Sequence, residues 1–145
     1  AGCMWPPAGK RGVGFSRANL FGRRFEDYKT EAQQPLIVAQ IESRNAVASI
    51  ASLLAVRGLD AVMIGPYDLS ASLGVAGQVD HPDVRTSVAE VLKACCIAGV
   101  PSGMHVVTPD PKRLEEEVSA GHRFLAYGVD AVFVSHTAQN PRGQR

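Results

Sequence analysis

Four short runs of nearly uninterrupted apolar residues, at positions 36–41, 59–64, 101–107 and 124–134, alternate with segments whose apolar residues recur at helical spacing. No other feature of the sequence restricts its fold as much. A strand that is apolar throughout must be covered on both faces, which points to parallel pairing, and parallel neighbours need a crossover long enough to hold a helix. The intervening segments supply that helix. Ser43 is placed as N-cap for a helix with Val47, Ile50, Ala51 and Leu54 on one face, and Gly58 closes it. His81-Pro82-Asp83 opens a second helix, striped by Val84, Val88, Val91, Leu92 and Cys95 and stopped at Gly99. Asp110-Pro111 opens a third, carrying Leu114 and Val118 and ending at Gly121. The pattern predicts the α/β class. Two architectures satisfy it: a doubly wound open sheet and part of a (β/α)8 barrel, whose norm of roughly 250 residues exceeds this chain.

The rest of the chain is less regular. Residues 1–34 read as a lead-in containing one short helix over 21–32, residues 35–136 as the strand–helix repeats, and 137–145 as a polar, frayed tail. Together they predict a single partial domain over 1–145. The chain opens on Ala1 within a Pro/Gly-rich stretch, which reads as a processed or partial sequence.

With 15 basic and 14 acidic residues among 145, the formal charge is +1, so no general field draws the chain to nucleic acid or an anionic membrane. Lys10, Arg11, Arg17, Arg23 and Arg24 make the start basic; a solvated face is the expected reading. No apolar stretch approaches the roughly 20 residues that span a bilayer. Cys3, Cys95 and Cys96 form neither a CxxC pair nor an even disulfide framework, which fits a reducing cytoplasm.

Both α/β architectures place ligand sites at the carboxyl ends of their strands. The first strand ends in Gln40-Ile41-Glu42 and the second in Gly65-Pro66-Tyr67-Asp68-Leu69-Ser70, so adjacent tips each deliver a carboxylate. Parallel neighbours lie about 4.8 Å apart, close enough for two such acids to share a cation. An all-oxygen site of two carboxylates leaves positions for water and substrate and suits Mg²⁺ or Mn²⁺. On spacing alone, Glu42 is equally a favourable charge at the start of its helix. Gly65-Pro66 is either a strand stop or a place where backbone N–H groups approach a bound carboxylate.

Taken in order, Gln40-Ile41-Glu42, Gly65-Pro66-x-Asp68-Leu69-Ser70, Leu73-Gly74 with Gly77, and His81-Pro82 resemble the successive signatures of the HpcH/HpaI aldolase/citrate lyase family. Trp5-Pro6-Pro7-x-Gly9-x-Arg11-Gly12 with Arg17-Ala18 is similar to the family's segment ahead of the glutamate strand. The resemblance implies a (β/α)8 barrel of the phosphoenolpyruvate/pyruvate type, of which this chain is the C-terminal part. It implies Glu42 and Asp68 as ligands of a divalent metal, Gln40 as a substrate-positioning residue, and the backbone N–H groups of Tyr67 and Asp68 as contacts for a pyruvate-type 2-oxo acid. The implied reaction is cleavage of a 4-hydroxy-2-oxo acid to pyruvate and an aldehyde, the metal stabilising an enolate. Alternatives are a citrate-lyase-type acyl-CoA lyase and a non-catalytic binding remnant; the compact Gly-Pro-x-Asp-Leu-Ser form favours the aldolase branch. A Schiff-base aldolase needs a lysine in the site, and Lys10, Lys29, Lys93 and Lys112 all lie off the predicted strands.

The family's acid–base histidine and its substrate-contacting arginine have no counterpart in these residues, so no catalytic residue is assigned, and low or absent turnover is expected of the isolated chain. His105, on the third strand where relatives carry an aliphatic residue, is expected to be a hydrogen-bonded core histidine, a further ligand being the alternative. His81 serves a helix start; His122 and His136 read as superficial, and Glu115-Glu116-Glu117 as a solvated helix face. Relatives are homo-oligomers joined by an exchanged C-terminal amphipathic helix. The residues from His136 to Pro141 lack that pattern, which leaves assembly of this chain open. Gly12-Val13-Gly14 follows no predicted strand and reads as loop.

Overall fold

The structure, a computed structural model, describes residues 2–138. The chain divides between Ile37 and Val38 into two compact units. In the first, a 3-10 turn at Arg17–Asn19 precedes helix α1 (Phe25–Glu31). Trp5 is buried there, edge-on to Tyr28 at a centroid distance of 5.4 Å and tilted against Phe25 at 6.1 Å. Asn19, fully buried, gathers the loop before α1: its Oδ1 accepts from the N–H groups of Ser16 and Gly22, and its Nδ2 donates to the Gly14 carbonyl. The helix expected from position 21 starts later because Leu20 and Phe21 adopt left-handed backbone angles.

The second unit contains the repeats. Its elements are β1 (Val38–Ile41), α2 (Arg44–Ala48), α3 (Ile50–Leu54), β2 (Ala61–Ile64), α4 (Pro66–Ser72), α5 (Pro82–Ala98), β3 (Ser102–Val106), α6 (Pro111–Ala120), β4 (Phe124–Tyr127) and α7 (Asp130–Thr137). The four strands form one parallel sheet in the order β1-β2-β3-β4. Alternation gives each face its own row. Ile41, Ile64, Met104 and Leu125 are in register on one face, where they meet Val47, Leu54, Leu69, Val84, Val91 and Cys95 from the helices. Gln40, Met63, Gly103 and Phe124 form the row on the other face, away from that core.

The caps fall where the sequence places them with one exception: Gly58 does not close the first helix, because α3 already ends at Leu54 with Ala55 as its C-cap. The Ser43 hydroxyl accepts from Ala46 N–H, Asp110 accepts from Lys112 N–H, and Gly99 and Gly121 end α5 and α6 in the left-handed conformation. His81 caps α5 through Nδ1, which accepts from Asp83 N–H at 3.3 Å. The helix after Ser43 is broken in two at Ser49 rather than continuous. Gly65-Pro66 ends the strand as expected, and Pro66 is at once the first residue of a helix, α4, that runs to Ser72.

Three expectations are corrected. The fourth apolar run does not remain a strand to position 134: Gly128 turns left-handed, Asp130 accepts from Ala131 N–H, and α7 begins there. On α6 it is Glu117 that is buried and Val118 that is exposed, so Glu117 is not part of a solvated face. His122 is not superficial but only 2% exposed, because it fills the space between β3 and α6. The residues after Ala138, including most of the expected tail, lie outside the described region.

Candidate metal and 2-oxo acid site

The carboxyl ends of β1 and β2 meet on the sheet face opposite the helical core. Gly65 N–H donates to the Ile41 carbonyl at 3.0 Å, continuing the ladder one residue past β2 and holding the Glu42 turn beside the Gly65 turn. Gly65 has φ −95° and ψ 91°, angles open to any residue, so glycine is not needed there for conformational freedom. It is needed for space. A methyl group on Gly65 would stand 3.0 Å from Gln40 Nε2, 3.5 Å from Glu42 Cβ and 3.7 Å from Glu42 Oε2. The Gly65 backbone therefore lies directly against Gln40 and Glu42, two of the residues singled out from the sequence.

Asp68 follows in the first turn of α4, and Tyr67 beside it is 47% exposed. Tyr67 also lines a cleft of about 370 Å³ with Asp80, His105, Thr108 and Arg113. The carboxylates of Glu42 and Asp68 are exposed and, among the described residues, engaged in no ion pair or hydrogen bond. No set of three His, Cys, Asp or Glu side chains converges among the described residues, so any cation held here has two protein carboxylates at most.

His105 stands on the same sheet face as Gly103, two residues nearer the carboxyl end. Its Nε2 lies 3.2 Å from the Gly128 carbonyl, beyond the end of β4 and on the side away from β1. It is thus hydrogen-bonded rather than joined to the two acids. None of the four lysines lies on a strand: Lys10 is in a loop, and Lys29, Lys93 and Lys112 belong to α1, α5 and α6.

Two features escaped the sequence reading. Ser72, which belongs to none of the motifs singled out, is the last residue of α4, and its hydroxyl accepts from Arg44 N–H at 2.9 Å. The second is a buried polar chain under α6. Ser102 Oγ lies 3.1 Å from His122 Nδ1, His122 Nε2 lies 3.4 Å from Glu117 Oε2, and Glu117 pairs with Arg113 at 2.9 Å. Burial holds the pKa of His122 below the usual histidine value. Burial also raises that of Glu117, with Arg113 opposing and Glu116 and Asp80 adding to the rise. The i,i+4 spacing of Arg113 and Glu117 is that of a helix pair, but nothing in the sequence marks Glu117 as its buried member.

The HpcH/HpaI aldolase/citrate lyase family model matches residues 3–137. The hydroxypyruvate/pyruvate aldolase of Roseobacter denitrificans is 35% identical over 140 residues, 95% of this chain and 54% of that protein. The 2-keto-3-deoxy-L-rhamnonate aldolase of Klebsiella pneumoniae is 40% identical over 131 residues, 88% and 48% of the two chains. Among solved structures, an HpcH/HpaI aldolase/citrate lyase family protein from Burkholderia cenocepacia J2315 superposes with a TM-score of 0.73 at 35% identity, over 92% of this chain and 53% of that one. The chain spans about half the length of the curated relatives it matches, and its four parallel strands correspond to about half of their TIM-barrel-type fold. With a family match across nearly all its length and relatives above 30% identity, the chain belongs to the HpcH/HpaI aldolase/citrate lyase family.

Proposed function

We propose that this chain carries the divalent-metal and 2-oxo acid platform of an aldolase-type carbon–carbon lyase acting on 4-hydroxy-2-oxo acids, with Glu42 and Asp68 as the metal carboxylates. The observation that carries this reading is the close approach of the Gly65 backbone to Gln40 and Glu42, with Asp68 one turn beyond it. The donor set fits a hard cation such as Mg²⁺ or Mn²⁺: two unengaged carboxylates that no third His, Cys, Asp or Glu joins among the described residues, which leaves coordination positions for water and for two substrate oxygens. A bound cation there supplies Lewis acidity toward a substrate carbonyl.

The protein's own residues position the substrate. The Gln40 amide, held at the edge of the site by Gly65, can donate to a substrate oxygen. The N–H groups of Tyr67 and Asp68, at the start of α4, have no intrahelical acceptor and can donate to a carboxylate. A side chain at position 65 would push the amide away and close the space the substrate carboxylate needs. The aldolase names of the relatives support the same chemistry. A reducing cytoplasm suits the three free cysteines, and no helix among the described residues is long and apolar enough to cross a membrane.

Calorimetric titration of pyruvate into the chain, with and without Mg²⁺, tests the proposal. Binding is expected only when the metal is present; equal binding without metal would remove the cation from the site.

A further inference from the structure

We infer that Ser72 is a positioning residue for the metal site, a tether from α4 that keeps Asp68 in place against the Glu42 turn; this rests on the reading of Glu42 and Asp68 as metal ligands. Asp68 and Ser72 are four residues apart in α4, so they project from one face of the helix, a turn apart. From that face the Ser72 hydroxyl accepts a hydrogen bond from Arg44 N–H at 2.9 Å. Arg44 is the first residue of α2 and stands two residues after Glu42. Its N–H is one of those a helix start leaves without an intrahelical partner, and Ser43, the helix's own cap, satisfies Ala46 N–H instead. The face of α4 that presents Asp68 is therefore fastened to the turn that presents Glu42.

Two further bonds define what Ser72 adds. Gly65 N–H to the Ile41 carbonyl fixes the entrance to α4. Ser70, fully buried, donates to the Tyr67 carbonyl and accepts from Gly77 N–H, fixing the helix to its own following loop. Among the described hydrogen bonds made by side chains of α4, only that of Ser72 reaches the β1–α2 segment. Without it, α4 is held to the β1–α2 segment by the Gly65 bond that precedes the helix and by the packing of Leu69, and its last turn, where Ser72 stands, loses its hydrogen bond to the Glu42 turn.

The test measures Mn²⁺ affinity by electron paramagnetic resonance, and amide hydrogen exchange at Arg44, in the parent chain and in Ser72→Ala, Ser72→Thr and Asp110→Ala. Asp110→Ala removes the α6 cap, a stability loss of comparable kind at a residue that shares the Tyr67 cleft but makes no described hydrogen bond or ion pair to α4. Ser72→Ala is expected to speed exchange at Arg44 and to weaken Mn²⁺ binding by roughly two- to tenfold, the range that one net hydrogen bond represents. Ser72→Thr, which keeps the hydroxyl, is expected to bind as the parent does, and Asp110→Ala to leave Mn²⁺ affinity unchanged.

Unchanged exchange at Arg44 in Ser72→Ala would show that the bond is not made. Faster exchange with parental Mn²⁺ affinity, or an equal loss in Asp110→Ala, would show that it does not position the site. Failure of the parent itself to take up Mn²⁺ would overturn the metal reading, and the tether's role with it.

Discussion

Replacing Gly65 and Gly103 by alanine, one at a time, separates a glycine kept for a ligand from one kept for the fold. At Gly65 the backbone angles suit alanine, and the tightest contact, 3.0 Å, is with the mobile end of Gln40; the 3.5 Å approach to Glu42 Cβ is ordinary packing. Only the amide has to move. Alanine also lowers the conformational freedom of the unfolded chain, a gain of about 0.4–1 kcal/mol that offsets this strain. The net stability change of Gly65→Ala is expected within about 0.5 kcal/mol. Loss of the Gln40 contact is expected to cost about 1 kcal/mol of substrate binding, roughly fivefold in pyruvate affinity.

Gly103 is a different case. A methyl group there would collide with the Phe124 carbonyl oxygen on β4 and stand 3.0 Å from the Val62 carbonyl oxygen on β2, two backbone atoms in the middle of the sheet. Overpacking against atoms that cannot turn aside is expected to cost about 3 kcal/mol. Urea unfolding followed by circular dichroism, with pyruvate calorimetry on the folded variants, reads both effects. The reasoning fails if Gly65→Ala unfolds as early as Gly103→Ala, or if it binds pyruvate like the parent.

Ile64→Ala, at a fully buried position of β2, is expected to lower stability by about 2–5 kcal/mol, read from the urea midpoint at constant slope. By contrast, Val134→Ser on α7, 65% exposed, should shift stability by less than about 0.5 kcal/mol. For His122, whose pKa is lowered by burial, the unfolded chain takes up the proton first as pH falls. Its contribution is complete above the ordinary histidine value of about 6.5 and is lost below it. Glu117, whose pKa is raised, acts with the opposite sign: its cost is absent at low pH and appears as pH rises above an ordinary carboxylate value of about 4.3. The parent is therefore expected to lose stability between pH 7.5 and 5.5, and His122→Gln to lose less; identical slopes over that window would remove His122 from the account.

The sequence carries the α/β class because it depends on local signals. Apolar runs of strand length, Ser43 and Asp110 as caps, and Gly99 and Gly121 as stops each act within a few residues, and the structure uses every one of them. The approach of Gln40 and Glu42 to Gly65 was legible for the same reason, since a parallel sheet brings the ends of successive strands together whatever the helices between them do, and Asp68 joins them only in the proposed site. What escaped was set by particular partners, near or far in sequence, rather than by apolar periodicity. Val129, Val132 and Val134 look like strand residues, but Gly128 reverses the chain and Asp130 starts a helix. Glu117 and Val118 are adjacent on α6, and periodicity favours burying the valine. The glutamate is the one buried, reaching half-exposed Arg113 with one carboxylate oxygen while the other lies 3.4 Å from His122 Nε2. Ser72 carries no sequence signal beyond standing one turn after Asp68, since its partner lies 28 residues upstream.

Whether Glu42 and Asp68 together hold a divalent cation is decided by Mn²⁺ titration followed by electron paramagnetic resonance in three chains: the parent, Glu42→Gln and Asp68→Asn. Saturable uptake of one Mn²⁺ per parent chain is expected, with its loss in either single variant and all three chains equally folded. Uptake by both variants that matches the parent would contradict it.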